Sequence, residues 1–164
     1  MSSPADSSGR GAGLRRPRKY RVIGLGAAII ALAAMGGIAF AAGSTTLATG
    51  KVTVKSKPAT VVVDSSGVTL YTLSGETASH LKCVTKPCLT AWPPDTVAAT
   101  AKLTAAKGIK GTLTKLHRVK AKFYQVLLNG HPLYRFAGDK GKKGVASGDG
   151  ITGFGGTWHV ITAS

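Results

Sequence analysis

The fold class follows from one stretch of the chain, residues 123–139, which reads FYQVLLNGHPLYRFAGD. Residues 123–128 form an apolar run of the kind that favours a β-strand. Asn129 and Gly130 come next, and this pair strongly favours a two-residue hairpin turn because both residues accept positive φ angles. Residues 131–136 are therefore predicted to return as the second strand of an antiparallel hairpin.

A second hairpin is predicted earlier in the chain, where residues 60–63 read TVVV and residues 64–67 read DSSG. Counted from the glycine of each turn, LYTLSGE at residues 70–76 aligns with LYRFAGD at residues 133–139. Two such hairpins can bury their apolar faces against each other. The sequence therefore predicts an all-β, mainly antiparallel fold in which two repeated β-hairpins form a small sheet or sandwich, preceded by one N-terminal hydrophobic helix.

Side-chain alternation assigns the aromatic residues of both copies to the interior. Tyr71 and Leu73 share one face of their strand, as do Tyr134 and Phe136, because successive side chains point to opposite faces. We expect both pairs to pack in the core rather than to form a platform for a ligand. The other predicted segments are one or two helical turns, a strand, a long irregular loop and a closing strand, at residues 98–110, 113–119, 140–157 and 158–161.

The N-terminal third of the chain predicts export. Residues 1–21 carry six basic side chains and are predicted to be a disordered cytoplasmic N-terminus. Residues 22–42 contain no charged side chain, which predicts a signal or transmembrane helix. Residues 43–58, rich in Thr, Ser, Gly and Lys, are predicted to be a flexible linker. Residues 59–164 are then the exported, β-rich domain.

The sequence leaves two fates open for the segment from Val22 to Ala42. Its length suits a retained membrane anchor, whereas its many Ala and Gly residues and the Ala39-Phe40-Ala41 pattern suit a cleaved signal. The basic residues before it hold the N-terminus inside the cell. We therefore expect a domain outside the membrane, either anchored by this helix or secreted after cleavage near Ala41.

The exported part is strongly basic. Residues 43–164 contain sixteen lysines and arginines against five acids, a net charge of +11, and fourteen of the cations are lysines. Lysine is a hydrated point charge and lacks the forked geometry with which arginine recognises phosphate groups. We expect attraction to an anionic wall polymer, an anionic lipid or an envelope protein. No nucleic-acid partner is expected because no recognition module is present.

Two cysteines, Cys83 and Cys88, lie in the exported part, where an oxidising environment favours a disulfide between them. An alternative combines them with His80, since imidazole and thiolate are ligands for soft metals. His131 and His159 extend this alternative to a metal- or haem-handling redox protein. The disulfide is the preferred interpretation, so neither a metal site nor a cofactor is expected.

Several short motifs together resemble one bacterial family. These motifs are Cys83-x4-Cys88, Trp92-Pro93-Pro94, Gly130-x-Pro132-Leu133-Tyr134-x-Phe136-x-Gly138-Asp139 and Gly155-Gly156-x-Trp158-His159. The chain resembles the secreted-repeat, or predicted lipoprotein, family named for a Tyr-x-(Phe/Trp/Tyr)-x-x-Asp motif, whose function is unknown. Tyr134, Phe136 and Asp139 match that motif fully.

The first copy departs from this family pattern. After Tyr71, Leu73 takes the place of the aromatic residue and Glu76 takes the place of the aspartate. In both copies we expect the acid to be structural, accepting backbone N–H groups that fix the turn after the strand. No cysteine precedes Cys83, so we expect no lipid attachment.

No catalytic motif is found in the chain, and the family implies no activity. The G-x-S-x-G elbow, the phosphate-binding glycine loop and the H-E-x-x-H motif are all absent. Asp139 and Asp149 stand among lysines, which opposes calcium binding. We expect a non-enzymatic envelope protein whose basic surface binds or scaffolds. The alternative is the redox protein described above, using His80, Cys83 and Cys88.

Overall fold

The computed structural model describes residues 46–164. These residues fall within one of two compact units of the chain, Ala41–Ser164. The predictions for residues 1–21 and 22–42, and for the start of the linker, lie outside the described part. Within the described part, no helix is long and apolar enough to cross a membrane.

The domain is built almost entirely from short antiparallel strands. The strands are β1 (Leu47–Val54), β2 (Lys57–Asp64), β3 (Tyr71–Leu73), β4 (Thr96–Val97), β5 (Leu113–Arg118), β6 (Phe123–Leu128), β7 (His131–Pro132), β8 (Thr152–Gly153) and β9 (Gly156–Val160). The helical elements are one α-helix, α1 (Lys86–Ala91), and two 3₁₀ turns (Val119–Ala121 and Ala137–Asp139). The strands form three small sheets, ordered β1-β2, β3-β9-β8 and β4-β6-β5, with β7 also paired to β6. The predicted all-β class is confirmed.

The second hairpin forms at the predicted place, but its return strand is shorter than the predicted residues 131–136, since β7 covers only His131–Pro132. β6 pairs with β7 through Leu127 with Pro132 and Leu128 with His131. The turn between them has φ angles of 53° at Asn129 and 79° at Gly130. Both angles lie in the left-handed region that a two-residue hairpin turn requires.

The first hairpin is shorter than predicted. Its turn is closed by hydrogen bonds from Asp64 N–H to Val68 O (2.9 Å) and from Gly67 N–H to Asp64 O (3.0 Å). Beyond the turn, the return segment leaves β2 and pairs with the C-terminal strand, with Tyr71 opposite Val160. The pairing in both hairpins ends close to the turn, with a last hydrogen bond from Leu70 N–H to Val62 O (3.1 Å) in the first and from Leu133 N–H to Val126 O (3.0 Å) in the second.

The prediction of a flexible linker over residues 43–58 is corrected from Leu47 onward. β1 pairs with β2 along its whole length, from Leu47 opposite Asp64 to Val54 opposite Lys57. The physical reason is that Leu47 and Val52 are buried and packed in the core. Thr49 and Thr53 of β1 are β-branched, which suits a strand as well as a linker.

The region between α1 and β5 also differs from the prediction. Residues 98–110 contain no helix, because their backbone pairs with the start of β1: Leu47 N–H donates to Thr104 O (3.0 Å) and Ala106 N–H donates to Leu47 O (2.9 Å). The helix that does form, α1, begins inside the cysteine loop and continues past Cys88 to Ala91, and it was not predicted. The strand predicted over residues 113–119 is present as β5, and the predicted loop over residues 140–157 also contains β8 and the start of β9.

Candidate functional site

The two sequence copies meet at their tyrosines. Tyr71 N–H donates to Tyr134 O at 2.8 Å, and Tyr134 N–H donates to Tyr71 O at 3.0 Å. This antiparallel bridge joins the two copies of the repeat at the centre of the domain. Both tyrosines are fully buried.

Each tyrosine side chain contacts the acid of the other copy. The Tyr71 hydroxyl donates to Asp139 Oδ2 at 2.6 Å, and the Tyr134 hydroxyl donates to Glu76 Oε1 at 3.1 Å. The acids are as deeply buried as the tyrosines. The motif of one copy is therefore completed by the other, because each tyrosine hydroxyl donates to the acid of the opposite copy.

The same carboxylates hold the loops that follow them. Asp139 Oδ1 accepts from the N–H (3.0 Å) and the hydroxyl (2.5 Å) of Ser147. Glu76 Oε1 accepts from the N–H groups of Lys82 and Cys83, each at 2.9 Å. These hydrogen bonds give the buried carboxylate oxygens partners that replace water. The acids thus order the glycine-rich loop in one copy and the cysteine loop in the other.

The tyrosines act as hydrogen-bond donors in this network. Burial, and then the charge of Glu76, raise the pKa of Tyr134 to about 12. Burial, and then the hydrogen bond to Asp139, raise the pKa of Tyr71 further. Both hydroxyls therefore stay protonated at physiological pH, which is the state that the two carboxylates require.

An aromatic cluster fills the space around the tyrosines. Trp92 stacks on Trp158 with ring centroids 3.8 Å apart, and Phe136 lies 4.4 Å from Trp92. Tyr71 and Tyr134 meet these tryptophans edge-on, a favourable aromatic geometry. The cluster also contains Leu73 and both cysteines. Pro93 and Pro94 contact the second copy through backbone, where Arg135 N–H donates to Pro93 O (2.8 Å) and Pro94 bridges Tyr134.

Arg118 is a buried cation that sequence analysis did not single out. Its guanidinium donates to Gln125 Oε1 and to Cys83 O, both at 2.7 Å, and more weakly to the Tyr134 hydroxyl at 3.4 Å. Since that hydroxyl donates onward to Glu76, the tyrosine lies between a buried cation and a buried anion. The sequence offered no signal for this arrangement, because Cys83 lies 35 residues before Arg118.

Arg135 lies between two buried acids. Its Nε is 2.5 Å from Asp64 Oδ2, and its Nη2 is 3.0 Å from Asp95 Oδ1. Burial is the largest influence on Asp95 and raises its pKa to about 6. Burial acts the same way on Asp64, but hydrogen bonds from Ser66 and Val68 and the charge of Arg135 outweigh it and lower its pKa.

The predicted disulfide is present, with Cys83 and Cys88 joined and their Cα atoms 5.5 Å apart. Both thiolates of the alternative metal site are thereby consumed. His80 is exposed, His131 Nδ1 lies 2.8 Å from Glu76 O, and His159 Nδ1 lies 4.0 Å from Asp149 Oδ1. Within residues 46–164, no three His, Cys, Asp or Glu side chains are grouped so that they could hold a metal ion.

The distribution of charge is the feature that distinguishes the surface. None of the five acids in residues 46–164 is exposed, whereas twelve of the fourteen lysines are. Both arginines direct their guanidinium groups at internal partners. The exposed lysines are Lys51, Lys55, Lys57, Lys86, Lys102, Lys107, Lys110, Lys120, Lys122, Lys140, Lys142 and Lys143.

A comparison with family models matches residues 123–162, which run from β6 to just beyond β9, to a family described as a secreted repeat of unknown function. Residues 123–162 are therefore similar to this secreted repeat. The match confirms the family that the motifs predicted and supports export of the protein, while the family description names no molecular activity. Searches of curated proteins and of solved structures found no match to the chain.

Proposed function

We propose that this exported secreted-repeat protein is a non-enzymatic binding domain whose lysine surface holds an anionic polymer of the cell envelope. The observation that carries the proposal is the separation of charge: none of the described acids is exposed, whereas twelve of the fourteen described lysines are. Such a surface creates a positive potential because few carboxylates offset the lysines. It therefore suits a partner that carries many negative charges.

The predominance of lysine over arginine on the surface favours a partner whose negative charges are spread along a polymer. Arginine recognises single carboxylate or phosphate groups with paired hydrogen bonds, but both arginines of the domain are engaged internally. Lysines attract negative charge without fixed geometry. The partner is then held by summed electrostatic attraction rather than by a shaped pocket.

A groove beside β1 lies next to several of these lysines. It has a volume of about 390 Å³ and lies between β1 and the loop after Asp139. Lys55 lines it, and Lys142 and Lys143 are exposed on the same loop. Asp149 is the one acid on its lining, and it is already paired with Lys55 at 3.2 Å. We call this region the loop face.

The proposal is tested by binding of the full chain to long-chain polyphosphate in low salt. Each lysine near an anionic surface contributes about 1 kcal/mol. The triple substitution Lys55→Gln, Lys142→Gln and Lys143→Gln should therefore weaken binding by up to about a hundredfold. A matched control removes three exposed lysines elsewhere, at Lys102, Lys107 and Lys110. Equal effects of the two triple variants would reject the loop face, and absence of binding by the unmodified chain would reject the function.

A further inference from the structure

A second surface of the domain combines exposed apolar side chains with lysines. Val84 and Val119 are 56% and 69% exposed, the two highest values among the large apolar side chains of residues 46–164. They line one shallow groove of about 220 Å³, together with Leu81, Leu89 and Ala121. We call this region the apolar tip. Apolar side chains presented together on a surface mark a contact site more often than isolated ones do.

Buried contacts beneath the groove fix the position of the apolar tip. Arg118, which lines the groove, donates to Cys83 O at 2.7 Å, and Cys83 is joined to Cys88 at the centre of α1. These contacts tie the cysteine loop, which carries Val84, to the turn that carries Val119. The two valines therefore lie on two segments that are fixed to each other.

Positive charge surrounds the apolar tip. Lys120 lines the groove, and Lys86 and Lys122 are exposed close to Val84 and Val119 in sequence. No acid of the described part is exposed anywhere on the domain. Apolar side chains flanked by lysines match the boundary of an anionic bilayer, where the chains enter the headgroup region and the ammonium groups meet lipid phosphates.

We propose that the apolar tip docks onto the surface of a bilayer that contains anionic lipid. Distance along the chain supports a bilayer as the occupant. Residues 22–42, predicted to enter the membrane, end four residues before the described part begins. Four extended residues reach about 14 Å at most, so an uncleaved chain keeps the domain next to the membrane. The tip shares no lining residue with the groove of the loop face, so the two proposals can fail separately.

The test uses the full chain reconstituted in vesicles, with an environment-sensitive dye on a single introduced cysteine. The chain has two cysteines, both in the disulfide, so Val119→Cys provides a unique site for the dye. Thr100→Cys, exposed in an irregular segment away from the groove, is the matched control. Vesicles of phosphatidylcholine alone are compared with vesicles that also contain phosphatidylglycerol.

The proposal predicts a blue shift of the dye at position 119 in anionic vesicles, with no comparable shift at position 100. It also predicts loss of that shift on Lys86→Gln, Lys120→Gln and Lys122→Gln together, exposed positions where folding is expected to be retained. Equal shifts at both positions would mean that the anchor alone holds the domain near lipid. A shift at 119 that is the same in neutral vesicles or in detergent, or no shift in any vesicle, would assign the tip to a protein partner or to none. Each of these outcomes overturns the proposal.

Discussion

The hydroxyl oxygen of Tyr71 lies 2.6 Å from Oδ2 of Asp139, 68 residues further along the chain. The matching contact joins Tyr134 to Glu76 in the opposite direction at 3.1 Å. Each copy of the repeat thus donates one hydrogen bond to the other copy and accepts one from it. In this chain the tyrosines and acids of the two motif copies pair the copies with each other, and their burial keeps them from direct contact with a partner.

Removing the Tyr71 hydroxyl should destabilise the domain. Tyr71→Phe leaves Asp139 Oδ2 buried without its donor, and an unsatisfied buried group costs about 1–3 kcal/mol. The free energy of unfolding can be followed in the full chain by tryptophan fluorescence, since both tryptophans lie in this domain. Tyr124→Phe is the control, because the Tyr124 hydroxyl makes no hydrogen bond within residues 46–164. Equal stability of the two variants would contradict the paired-copy account.

A single methyl group at Gly148 should disturb the aromatic cluster. A Cβ there would lie 2.8 Å from Trp92 Cη2 and 3.0 Å from a ring carbon of Tyr71. Overpacking of this kind costs about 1–3 kcal/mol. Gly153→Ala is the matched control, since a Cβ at that position meets no atom within 4 Å. Denaturant titration of both variants should show a loss of stability for Gly148→Ala alone, and comparable losses would argue against close packing at Gly148.

The disulfide should contribute stability and remove all free thiols. It closes a short loop, since its cysteines are five positions apart in the sequence, so we expect about 2 kcal/mol. The double substitution Cys83→Ser and Cys88→Ser should lower the free energy of unfolding by this amount. Thiol titration of the unreduced protein should find none. Two free thiols accompanied by bound metal would instead favour the redox alternative at the cysteine loop.

Asp95 should make stability depend on pH in a specific window. Its pKa is raised from 3.8 to about 6 in the folded domain, so the folded state binds the proton more tightly than the unfolded state. The resulting stabilisation is complete below pH about 4 and is lost as the pH rises through about 6, with a limit of about 3 kcal/mol. Asp95→Asn should flatten the stability profile between pH 4 and 6. An unchanged profile would show that Asp95 does not titrate there.

The local parts of the fold were predictable from the sequence. The turn at Asn129 and Gly130 follows from the residues themselves, because both accept the positive φ angles found there. The aligned segments at residues 70–76 and 133–139 likewise indicated a repeat. The turn and the match between the two segments can be read from the residue types alone, so one sequence was enough to predict them.

The contacts between distant segments were not predictable in the same way. The exchange of acids between copies requires Tyr71 to meet Tyr134, and nothing in either copy shows which acid its tyrosine will reach. β1 was mistaken for a linker because its buried residues, Leu47 and Val52, are separated by Thr, Gly and Lys. Arg118 was overlooked because its partners come from the cysteine loop and from β6.

The most direct test of the proposed function is the salt dependence of polyanion binding by the full chain. Binding to long-chain polyphosphate should weaken steeply as salt rises from about 0.05 M to 0.5 M, because exposed charges are screened over about 10 Å at 0.1 M and less at higher salt. The Lys55, Lys142 and Lys143 triple variant should show a shallower dependence than the unmodified chain. Binding that is absent in low salt, or that persists unchanged in high salt, would contradict a lysine surface built to hold an anionic polymer.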